Sequence, residues 1–87
     1  MMDMLNIKEI QEATINTLIR DNVGLEEELD EIQHKICQNL IVGKTFIEYT
    51  PQNKDYLYKI IDIFKMKGFF AYTLNECNII ISWVDSL

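Results

Sequence analysis

Hydrophobic positions in the first half of the chain recur at helical spacing. From Ile15 the pattern runs Leu18, Asn22, Leu25, Leu29, Ile32 and Ile36, in steps that alternate three and four residues. This is a heptad seam with a positions at 15, 22, 29 and 36 and d positions at 18, 25 and 32. Asn22 fills the one polar slot, where a buried Asn sets register and strand number at a cost in stability. Upstream, Asn6 with Glu9 three residues later predicts a capped helix start. Two readings of the seam stand side by side. In one, a single long helix offers the stripe Ile15, Leu18, Asn22, Leu25, Leu29, Ile32 and Ile36 as an oligomer interface. In the other, residues 21–24 form a break, Gly24 ends the first helix, and Glu26, Glu27 and Glu28 open a second, where the helix dipole favours anions. A glycine inside a helix costs only about 1 kcal/mol against alanine, too little to force the break. In a parallel homodimer Asp21 would face Glu26 of the partner and repel it, so an antiparallel or higher-order bundle is the easier assembly.

The period changes after Gly43. Residues 44–49 alternate as a strand does, with Thr45, Ile47 and Tyr49 on one face and Phe46 on the other. Thr50-Pro51 suits the cap and first position of a helix. Leu57, Ile60, Ile61 and Phe64 then follow amphipathic helical spacing, closed by Lys65, Lys67 and Gly68. Two runs rich in aromatic and β-branched residues, 69–74 and 79–84, flank the polar turn Asn75-Glu76-Cys77-Asn78 and predict a β-hairpin. A strand–helix–strand order implies a right-handed crossover and parallel first strands, with the hairpin adding an antiparallel one. Both faces of the two hairpin strands are apolar. The sheet is therefore expected to be covered on both, by the N-terminal helix or by another subunit.

These elements define an α+β fold in one domain, residues 1–87. A helical part, 1–42, holds one helix or a helical hairpin; a β-α-β-β part, 43–87, carries a small mixed sheet. The chain is 48% hydrophobic, rich for 87 residues, which points to apolar surface kept for a partner or a further copy. The longest apolar run is too short to span a bilayer. The stretch Met1-Met2-Asp3-Met4-Leu5-Asn6 lacks the basic region and cleavage site of a secretory signal. Two distant cysteines, Cys37 and Cys77, make no disulfide framework. A reduced, cytoplasmic protein with no membrane contact is expected.

Charge divides the chain. The net −6 belongs to residues 1–42, which hold nine acids against three bases, while the remainder is neutral. Such a balance argues against direct nucleic-acid binding, which needs a basic face. Glu26, Glu27, Asp30 and Glu31 mark an acidic face, read as a solvated helix surface or as a docking face for a basic partner.

Candidate chemistry is sparse. Gly43-Lys44-Thr45 resembles the end of a phosphate-binding loop, but Gln38 stands where the first glycine belongs and a strand follows instead of a helix. His34, Cys37 and Cys77 lack paired metal-ligand spacing, so no metal and no cofactor is expected. No nucleophile is matched to a base, and an enzyme is not expected. Lys44, Tyr49, Lys59, Tyr72 and Trp83 form a candidate ligand pocket, since rings beside cations suit a nucleotide-like molecule.

Gly43, Gly68-Phe69-Phe70-Ala71 and Ile81-Ser82-Trp83 resemble a recurring pattern in short phage and prophage accessory proteins. Those pair an acid-rich helical N-terminus with a Gly-led strand, a helix, Gly-Phe/Tyr-x-Val and a closing Ile-Ser-Trp. Ala71 departs from the usual Val. The abundance of isoleucine, asparagine and lysine is the usage of AT-rich genes, as in low-GC bacteria and their phages. The resemblance implies a phage origin and a fold more than an activity. With the helical seam, the spare apolar surface and the missing catalytic groups, the expectation is an oligomeric, non-enzymatic protein of the host cytoplasm that occupies or sequesters a host factor or a small nucleotide signal in a counter-defence role. A virion structural or assembly subunit is the alternative, and an acidic nucleic-acid mimic a weaker one.

Overall fold

The computed structural model describes residues 6–84; the N-terminal stretch read against a secretory signal lies outside them, apart from Asn6. Helix α1 spans Ile7–Asp21 and α2 spans Leu25–Ile41. Strand β1 is Phe46–Tyr49, a single 3-10 turn at Lys54–Tyr56 leads into α3 at Leu57–Met66, and β2 and β3 are Phe70–Thr73 and Ile79–Ser82. The class is α+β, with the helical hairpin rather than the single long helix.

Local chemistry explains where the helices start and stop. The Asn6 side chain accepts the Glu9 amide at 2.8 Å and donates back to the Glu9 carboxylate at 3.2 Å, a reciprocal cap. At the other end of α1, Asn22 leaves the helix in an extended conformation, and its side-chain amide donates to the Leu18 carbonyl at 2.7 Å. Gly24 follows with φ +88°, a left-handed conformation that side chains resist. The chain reverses there because a carbonyl is satisfied by Asn22 and the turn by glycine, side by side. The start of α3 differs from the expectation. Asn53, and not Thr50, caps the 3-10 turn that leads into it, accepting the Asp55 amide at 2.9 Å; α3 itself starts from Tyr56 with no side-chain cap, and Pro51 is buried in the loop before the turn.

The sheet order is β1-β3-β2, and both pairings are antiparallel. Strands β1 and β2 do run the same way, as the crossover requires, but β3 lies between them, so the expected mixed sheet is an antiparallel ladder. The reason is burial. Ile79-Ile80-Ile81 is the most apolar strand, and the central position pairs it on both edges.

Helices α2 and α3 stack against one face of the sheet. Helix α2 packs over β1 and α3 over β2, while α1 rests on both helices. The core between layers joins Ile15, Leu25, Leu29, Ile32 and Ile36 to Ile47, Tyr49, Leu57, Ile60, Phe64, Ala71, Ile79 and Ile81. The stripe expected as an oligomer interface is therefore spent inside the chain: Leu25 and Ile32 expose none of their surface, Leu18 is half-buried, and Asn22 is occupied at the turn. The expectation of a sheet covered on both faces is likewise corrected. Folding α1 and α2 back beside α3 puts every helix on one side and leaves the other side of the sheet open.

Candidate functional site

Two features stand apart from ordinary core packing: one carboxylate inside, and one apolar face outside. The first is Glu28. It occupies the first turn of α2 but points inward, buried to 5% exposure among otherwise apolar core residues. Its Oε1 accepts the Tyr49 hydroxyl at 2.7 Å and the Gln52 amide at 2.8 Å, and its Oε2 accepts the Asn53 amide at 3.4 Å. Helix α2 is thus bolted to the end of β1 and to the loop behind it. Burial, then the hydrogen bond to Glu28 and the charges of Glu28 and Glu31, push the Tyr49 phenol far above its ordinary value. A phenol driven upward keeps its proton at neutral pH, so Tyr49 donates a fixed hydrogen bond and does not act as a base. Tyr56 adds a second tie, its hydroxyl donating to the Val23 carbonyl at 2.5 Å. A cleft of about 360 Å³ lies here between Val23, Glu27, Glu31, Gln52 and Tyr56.

The second feature is the open sheet face. Strand alternation sends Phe46, Phe70, Tyr72 and Ser82 away from the helices. Phe46 and Phe70 expose 48% of their surface, Tyr72 53% and Leu74 55%, far more than aromatic and leucine side chains in a covered sheet. They surround Ile80, which is buried to 7% exposure yet stands outside the main core cluster. Ile80 lies among its neighbours on this face, which with Val84 line a shallow groove of about 390 Å³. No basic or acidic side chain lines the groove; the nearest strand charge is Glu48, whose carboxylate accepts the Asn78 side-chain amide at 2.8 Å. Asn78 also accepts the Thr50 hydroxyl at 2.6 Å, which holds that rim in place.

The residues expected to share a ligand pocket do not meet. Tyr49 faces the core and Tyr72 the opposite side of the sheet. Lys59 lies 6.0 Å from the Tyr56 ring, Lys44 is exposed beyond α2, and Trp83 packs half-buried against the core. The alternation that gives a strand two faces separates them. Glu26, Glu27, Asp30 and Glu31 are all exposed on α2, whereas Glu28 turns into the interior. Cys37 and Cys77 are free and exposed, and among the described residues no three metal-ligating side chains cluster. A third cavity, about 620 Å³, opens between α1 and the end of α3, where Lys8 and Lys67 are offset by Glu12.

The open face was within reach of sequence reasoning, because residues 69–74 and 79–84 are apolar on both sides. Glu28 was not, since its type and spacing match those of its solvated neighbours. Among the described residues no helix is long and apolar enough to cross a membrane. Comparison of the chain with protein-family models, curated proteins and solved structures gave no match in any of the three.

Proposed function

We propose that the chain is a non-enzymatic binding protein of the phage accessory type, acting in the host cytoplasm through its open sheet face. The observation that carries this reading is the uncharged groove of Phe46, Phe70, Tyr72, Leu74 and Val84 around Ile80. A patch of half-open rings is costly to leave in water and is characteristic of macromolecular recognition. The dispersal of Lys44, Tyr49, Lys59, Tyr72 and Trp83 favours a macromolecular target over a small nucleotide. The saturated Glu28 carboxylate favours occupation of a partner over chemistry.

A second reading, an assembly or virion subunit, draws support from the same face, because a surface free of charge can meet another copy of itself. Affinity capture with wild type and with Tyr72→Glu tests the binding reading. A partner retained by wild type and lost by the variant is expected; equal recovery by both would place the working surface elsewhere.

A further inference from the structure

We propose that the occupant of the open sheet face is a second copy of this chain, bound face to face about a two-fold axis that runs across the strands. The inference rests on the reading of that face as the working surface and names its partner.

Three observations select a second copy. The first is the charge pattern along β1. Strand β1 places Phe46 and Glu48 on this face, and Lys44 lies two residues ahead of Phe46 in a row with them along the chain, where it leaves the turn that closes α2; Lys44 and Glu48 are both exposed. A two-fold axis across the strands lays this row antiparallel on its own copy, so that Phe46 meets Phe46 and each Lys44 meets the partner's Glu48. The row is complementary to itself, which is the requirement of an isologous interface. Asn78 keeps Glu48 in position for it.

The second is where the repelling charge sits. Glu26, Glu27, Asp30 and Glu31 lie on α2, in the layer beyond the sheet, while the groove itself is uncharged. Two chains of net charge −6 can therefore approach through this face with their acidic helices at the two outer surfaces. The third is size. Three half-open rings with Leu74 and Val84 present on the order of 400 Å² per chain. Doubled and rimmed, that reaches about 1,000 Å², the lower end of specific interfaces. A concentration-dependent dimer follows, four layers deep, with the two sheets about 10 Å apart at its centre.

Sedimentation equilibrium over a concentration series tests the proposal, with wild type, Phe70→Glu, Lys44→Glu and Glu48→Lys. Wild type is expected to dimerise reversibly. Phe70→Glu, which brings two carboxylates into the seam, is expected to weaken association roughly 100-fold while leaving the circular dichroism of the monomer unchanged. Lys44→Glu and Glu48→Lys are each expected to self-associate less than wild type and to pair with one another when mixed, because the mixed pair restores opposite charge at both ends of the row. A wild-type monomer at all concentrations, with a heterologous protein captured through Tyr72, would overturn the second copy and keep the face as a binding surface. A wild-type monomer with no capture that depends on Tyr72 would overturn both. A dimer indifferent to Phe70→Glu and to the charge variants would put the interface on another surface and overturn the proposal.

Discussion

The Tyr49 hydroxyl and the Glu28 carboxylate meet at 2.7 Å although 21 residues separate them in the chain. The same oxygen takes the Gln52 amide at 2.8 Å, so one atom joins α2, β1 and the loop that follows. Glu28→Ala leaves the phenol and two amides without their acceptor and is expected to cost about 2–3 kcal/mol. Glu28→Gln keeps an oxygen at the Oε1 position for both short bonds and should cost about 1 kcal/mol or less. Urea unfolding of the two variants checks this. Equal losses would show that the charge, and not the acceptor, carries the linkage.

Tyr49 also makes stability depend on alkaline pH. Its folded pKa is raised above the ordinary value of about 10, by burial first and then by Glu28. The folded chain therefore holds the phenol proton more tightly than the unfolded chain does. The contribution is fully present below about pH 10 and is lost progressively as pH rises above it. Unfolding free energy measured between pH 8 and 11 is expected to fall for wild type and to fall less steeply for Tyr49→Phe. Identical slopes would remove Tyr49 from the account. In a spectroscopic titration, one of the four tyrosines should ionise only as the fold is lost.

The seam of the helical half separates by its effect on mass and on stability. Ile32 is fully buried within the chain, so Ile32→Ala should cost about 2–5 kcal/mol. Asn22→Leu removes the bond to the Leu18 carbonyl at the turn and should cost about 1 kcal/mol. Neither is expected to change the solution mass at a given concentration while the fold holds. Light scattering that showed Asn22→Leu altering the oligomer would return the stripe to an interface between chains.

The hairpin turn carries a correctable strain. Glu76 has φ +59°, a left-handed conformation, with its amide donating to the Thr73 hydroxyl at 3.1 Å. Glycine adopts this conformation without the steric penalty of a side chain. Glu76→Gly is expected to raise stability by about 0.5–1 kcal/mol after the greater entropy of the unfolded glycine chain is counted. A higher melting temperature checks it; a lower one would mean that Glu76 makes contacts worth more than the strain.

Much of the architecture was legible because its determinants are local. Asn6 with Glu9, Gly24, the Lys65–Lys67–Gly68 ending and the Asn75–Asn78 turn each act within a few residues. Gly68 sits at φ +95°, with its amide on the Lys65 carbonyl at 3.0 Å and Phe69 bonded back to Phe64 at 2.9 Å. The order of strands was not local. Whether β3 lies outside β2 or between β2 and β1 depends on which arrangement buries Ile79 and Ile81 best, and that is decided by the helices above them. The site failed for the same reason. Tyr49 and Tyr72 are both tyrosines on alternating strands, and only the side on which α2 and α3 settle makes one a buried donor and the other an exposed ring. Glu28 looked like its neighbours because a helix surface of four nearly consecutive acids hides the one that the fold turns inward.

The strand that forms the middle of the sheet is the last of the three to leave the ribosome. Until residues 79–82 emerge, neither β1 nor β2 has a neighbour to hydrogen-bond, and the helices can collapse only onto unpaired strands. Synthesis therefore passes through a stage with helices formed and two aromatic strand edges unsatisfied, the kind of species that associates wrongly. Closure of the β1–β3 pair across some thirty residues sets the pace, since long loops must be ordered before their contacts repay them. Loss of the final strand would not trim an edge from the sheet; it would leave no sheet at all.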